Sequence, residues 1–144
     1  MSPVDALQRA LAAEHAATYV YGAIGAATSV SATPGLFASV AAAYGEHRAR
    51  RDLLTARLRD RGAEPVAADA AYAVPEPLRS PADVSAAALA VERACEETYA
   101  WVVEQTSRED RQLAVTALTS AAVRALAFRG SPEIFPGIGE HADR

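Results

Sequence analysis

The sequence predicts an all-α protein, a single four-helix bundle over residues 1–144. Three observations carry this. About a quarter of the 144 residues are Ala, the strongest helix former. Ser2-Pro3, Thr33-Pro34 and Ser80-Pro81 each put a capping hydroxyl before a Pro at the first helical position. Gly62 and Gly130 stand where two long helical segments stop, and glycine favours the left-handed position that follows a helix.

The first helix is expected over about residues 3–29, opened by Ser2-Pro3 and broken by Ser31 to Gly35. The second, capped by Thr33, runs over 34–61 to Gly62 and makes a hairpin with the first. Residues 63–80 carry Pro65, Pro75 and Pro77 without a helical period. The third helix is expected over 81–106 and the fourth over 108–129, capped by Ser107 with Asp110 three residues on. An irregular tail, 131–144, follows.

The 63–80 connection decides the expected topology. A helix of about 25 residues is roughly 37 Å long, and some 18 extended residues reach roughly 60 Å. The loop is therefore long enough to cross over the whole bundle, joining two antiparallel hairpins and letting the second and third helices run parallel. The alternative is an up-down bundle that the Pro-rich loop only decorates.

Charge and composition remove several function classes. The formal net charge is −4, and all fourteen basic residues are Arg, so no basic excess points to nucleic acid. The Arg48, Arg50, Arg51, Arg57, Arg59, Arg61 cluster is interleaved with Glu46, Asp52 and Asp60, as on a solvated helix face. No charge lies between Ala16 and Tyr44, but this stretch is Ala, Ser, Thr and Gly broken by Thr33-Pro34-Gly35, which argues against a membrane span. Lone Cys95 cannot form an internal disulfide, and the N-terminus lacks a signal-peptide pattern, so a cytoplasmic location is expected. No Gly-rich phosphate loop, nucleophile elbow or Cys-x-x-Cys pair is present.

The candidate site lies on the core stripes. Val4, Leu7, Leu11, Glu14, Thr18 and Tyr21 follow the three-and-four spacing of an inward face, and so do Val40, Tyr44, His47, Arg51, Leu54 and Leu58. On the third helix Glu92 shares a face with Ala88, Leu89, Cys95 and Tyr99. By depth, Glu14, His47 and Glu92 are expected to converge at mid-bundle, with Tyr21, Tyr44, Arg51, Tyr99 and Arg124 around them.

Buried ionisable groups need mutual pairing, a metal or an arginine. Di-metal carboxylate bundles use one Glu on each of two helices and Glu-x-x-His on each of the others. This chain has Tyr44-x-x-His47 and Ala121-x-x-Arg124 in those places, so a full di-iron enzyme is not expected. Two readings remain. In one, Glu14, His47 and Glu92 bind a single transition metal (Fe, Zn or Mn suits such a mixed set) or a small ligand. In the other, the polar core is structural and the protein is a non-catalytic dimerisation or partner-binding module. Arg124, with Arg51, is expected to replace the metal by pairing with Glu14 and Glu92.

Glu14-His15 followed by Tyr19-x-Tyr21-Gly22, then His47-Arg48-x-Arg50-Arg51-Asp52, Arg61-Gly62, Tyr72-x-x-Pro75, Glu92, Leu118-Thr119 and Phe135-Pro136-Gly137, resemble the actinobacterial ferritin-like domains of unknown function. The resemblance covers nearly the whole chain and implies a ferritin-like bundle without implying a reaction. Where ferritins carry a second Glu-x-x-His, this chain departs. The uncharged hairpin, residues 16–44, holds more apolar surface than a four-helix core covers, and a homodimer through it is expected.

Overall fold

The computed structural model describes residues 2–129, 132 and 134–137. These residues form four helices: α1 (Pro3–Ala26), α2 (Pro34–Asp60), α3 (Pro81–Gln105) and α4 (Arg108–Arg129). The expected helix stop at Gly130 and most of the 131–144 tail lie outside the described residues.

Local chemistry accounts for most boundaries. Ser2 and Ser80 close reciprocal capping boxes with Asp5 and Asp83, each helix beginning on Pro. At the end of α2, Gly62 takes φ +69°. There the Ala63 amide donates to the Leu58 carbonyl at 3.0 Å and the Gly62 amide to that of Arg59 at 2.8 Å, which stops the helix.

Two expectations change at the first turn. α1 stops at Ala26 rather than near Ser29 because hydroxyls compete for the last carbonyls: Thr28 Oγ1 donates to the Ile24 carbonyl at 2.7 Å. Thr33 makes no side-chain cap on α2, since its hydroxyl donates to the Ser29 carbonyl at 3.0 Å instead. Asp110 of α4 faces α2. Its carboxylate accepts from Arg57 Nε at 2.9 Å and Arg61 at 2.7 Å, tying the start of α4 to the end of α2.

α1 packs along α2 and α3, and α3 along α4, whereas α2 and α4 touch at few points. Two apolar clusters fill the interior. The lower one holds Leu7, Leu11, Leu54, Leu58, Tyr99 and Val102. The upper one holds Tyr21, Ile24, Val40, Val84 and Ala88. Residues 61–80 follow α1: Gln8 Nε2 donates to the Glu64 carbonyl at 2.7 Å, His15 Nε2 to that of Val66 at 3.0 Å, and the Tyr19 and Tyr72 rings meet at 5.5 Å. Beyond α4, Gly137 has φ +88° against α3, where a Cβ would stand 2.5 Å from the Glu96 carbonyl oxygen. No side chain fits there.

Candidate functional site

Between the two clusters lies one layer of charged side chains. Glu14, His47 and Glu92 are all fully or almost fully buried and meet there. The helices place them by a repeated spacing. α1 carries Glu14 and Tyr21, α3 carries Glu92 and Tyr99, and seven residues is two helical turns on one face.

Because α1 and α3 pack side by side in opposite directions, each tyrosine reaches the other helix's carboxylate. Tyr21 donates to Glu92 Oε1 at 2.6 Å and Tyr99 to Glu14 Oε1 at 2.5 Å. The His47 imidazole lies between the two acids, with Nδ1 2.6 Å from Glu14 Oε2 and Nε2 3.2 Å from Glu92 Oε1. The Tyr21 ring stacks on it, centroids 5.2 Å apart and planes at 24°. Arg124 of α4 completes the layer as a fork, Nε on Glu92 Oε1 at 3.1 Å and its terminal nitrogen on Oε2 at 3.0 Å.

Each ring nitrogen of His47 faces a carboxylate, so the ring is a double donor, an imidazolium. Burial alone pushes its pKa down, but the hydrogen bonds and charges of Glu14 and Glu92 outweigh this and hold it above the ordinary 6.5. Burial raises the Glu92 carboxyl, while His47 and Arg124 more than offset that and keep its pKa below 4.5. Two anions thus face two cations, and every carboxylate oxygen has a donor. Burial drives both tyrosines and the Cys95 thiol upward, the last helped by the charges of Glu14 and Glu92. Cys95 is therefore a small apolar filler rather than a nucleophile.

A metal requires lone pairs that converge on one point, but here the imidazole aims its two nitrogens in opposite directions at the acids. Among the described residues, no group of three His, Cys, Asp or Glu side chains is disposed to hold a metal ion. The residues do not fit the di-metal set, for guanidinium and imidazolium supply the charge that cations would.

Two expected members of the layer lie elsewhere. Arg51 turns outward and pairs with neighbouring Asp52 at 2.8 and 2.9 Å. A stripe through His47 and Leu54 can pass through position 50 or 51, and Arg50 is the one that turns in, its guanidinium 5.7 Å over the Tyr99 ring. Tyr44 sits on the α1 seam, where a Cβ on Gly22 would be 4.0 Å from its ring, and the Arg48 guanidinium lies 5.5 Å from the ring centre. Arg124 pairs with Glu92 but not with Glu14, whose partners are Tyr99 and His47. Glu96, one turn from Glu92 on α3, is also buried, at 1% exposure.

A family model described as "Domain of unknown function (DUF4439)" matches residues 6–140. The chain belongs to this family. A crystal structure of a conserved hypothetical protein from Mycobacterium tuberculosis is similar to this DUF4439 chain, with 36% identity and a TM-score of 0.80 over 89% of this chain and 95% of that one. No curated protein matches the chain. No helix among the described residues is long and apolar enough to cross a membrane.

Proposed function

We propose that this protein is a metal-independent bundle of the ferritin-like kind, a non-catalytic helical module that pairs with a second copy of itself. The observation that carries the reading is the Arg124 fork on Glu92, at 3.0 and 3.1 Å, beside an imidazole held by both acids. A permanent cation and a protonated ring neutralise the buried carboxylates, and every carboxylate oxygen already accepts a hydrogen bond.

The ferritin-like arrangement is supported by the company the helices keep. Leu58 near the end of α2 shares a cluster with Val102 near the end of α3, and Val40 shares one with Val84 near the two starts. α2 and α3 then run parallel, and residues 61–80, bonded along α1, form the crossover. Self-association is supported by the uncharged stretch of residues 16–44, which leaves Gly22, Ala26, Val30, Ala38 and Ala41 exposed.

Size-exclusion chromatography with in-line light scattering and metal detection, on protein prepared without chelator, reads both halves of the proposal. The expected result is a dimer at micromolar concentration that carries no stoichiometric transition metal and still carries none after incubation with iron, zinc or manganese. A monomer would overturn the pairing. One metal per chain, lost in Glu14→Ala or His47→Ala, would overturn the metal-free centre.

A further inference from the structure

The α2/α4 edge is sparsely packed, the two helices touching at few points. Lower down, Arg57 and Arg61 bridge it to Asp110, and Arg50 reaches the Ala117 carbonyl at 3.4 Å. Above the charged layer the facing side chains shrink to Ala42 and Ala43 on one wall and Ala127 on the other, leaving a hollow of about 430 Å³ with Val123 and Phe128 along it. It is a groove open to solvent, with Val123 62% exposed, and its size is that of a small-molecule site.

The end of the hollow nearest the charged layer is cationic. Two nitrogens of Arg124 serve Glu92, but Nη1, though buried, has no hydrogen-bond partner among the described residues. The nearest acceptor is Glu46 Oε2, 3.5 Å away on a side chain 55% exposed, and this oxygen is 3.9 Å from Arg50. A half-exposed carboxylate therefore already stands between two guanidiniums in a long ion pair with each, without a hydrogen bond to Arg124 Nη1.

We propose that the α2/α4 hollow binds a medium-chain fatty carboxylate, its head replacing Glu46 beside Arg124 and Arg50 and its tail lying along Ala42, Val123, Ala127 and Phe128. The head takes the N–H that Glu46 leaves unbonded, and the tail covers apolar walls. The hollow opens on the α2/α4 edge, whereas the uncharged pairing face straddles α1 and α2.

Isothermal titration calorimetry on the full chain tests this with octanoate, 1-octanol and octylamine as probes. Octanoate is expected to bind, with octanol weaker by about tenfold or more because it brings no charge to the guanidinium. Glu46→Ala removes the competing anion and should tighten octanoate binding. Ala127→Trp fills the hollow from its exposed rim and should abolish binding while circular dichroism stays helical. Ala42→Trp does the same from the opposite wall, should the first variant fail to fold. No octanoate binding, octanol binding as tightly as octanoate, tighter octylamine binding, or affinity untouched by both tryptophans would each overturn the proposal.

Discussion

Below the level of His47, the bundle is held by Leu7, Leu11, Leu54 and Leu58 packed on Val102, while at that level it is held by two acids, an imidazolium, a guanidinium and two phenols. Both layers are dry, yet they specify the fold differently. Leucines tolerate sliding as long as volume is filled. The charged layer tolerates none, because each carboxylate oxygen has a particular donor and a shift of one turn would leave ions unpaired in a medium that solvates them poorly. The charged layer sets register, and the leucine layer supplies most of the driving force.

The sharpest way to break this comparison is to remove one partner from each layer. Arg124→Ala leaves Glu92 short of its only permanent cation and should destabilise by about 3–5 kcal/mol. Leu58→Ala, a cavity in the lower cluster, falls in a similar range of about 2–5 kcal/mol. The layers part company under wholesale replacement. Exchanging Glu14, His47, Glu92 and Arg124 for apolar residues of similar volume, with Tyr21→Phe and Tyr99→Phe, should leave urea stability unchanged or raised by about 1–4 kcal/mol. A large loss of stability in that variant would show that the ions stabilise the fold outright rather than only specifying it.

The pH dependence should be smaller and two-sided. His47 binds its proton more tightly folded than unfolded, so its contribution is whole below about 6.5 and fades as pH rises through the elevated folded value. Glu92 behaves oppositely: its contribution is whole above about 4.5 and is lost as pH falls through the depressed folded value. Tm should therefore be highest between these values and decline on both sides. In His47→Gln the decline on the alkaline side should flatten, and an unchanged alkaline slope would mean that another group carries it.

What the sequence revealed, and what it hid, follows from how far each determinant reaches along the chain. Caps at Ser2 and Ser80 and the stop at Gly62 were legible because a few adjacent residues decide them. Glu14, His47 and Glu92 were legible as a set because an acid on an apolar stripe stands out. The choice between Arg50 and Arg51 was not, since one residue is 100° of helix and the stripe passes between them. Nor was the pairing within the layer, though the matched seven-residue spacings from Glu14 to Tyr21 and from Glu92 to Tyr99 were a usable signal for two helices exchanging donors. The path of the chain at α1's end depended on the Thr28 and Thr33 hydroxyls, and composition alone does not say which backbone carbonyl a hydroxyl bonds back to.

The smallest expected effect sharpens the comparison most, because it repeats the chemistry of Arg124 and Glu92 near water. Asp110 accepts from Arg57 and Arg61 at 2.7 to 2.9 Å, as short as any contact of Arg124. Asp110 itself is only 10% exposed, but its partners are 23% and 32% exposed, so solvent competes for the guanidiniums and added salt screens them. Asp110→Ala should cost about 1 kcal/mol or less at low salt and less still at high salt, whereas the cost of Arg124→Ala should hardly change with ionic strength. Urea titrations of both variants at two salt concentrations read the difference. Equal salt dependence would mean that water reaches the central layer, and that burial does not set apart the ions at the bundle's centre from those at its edge.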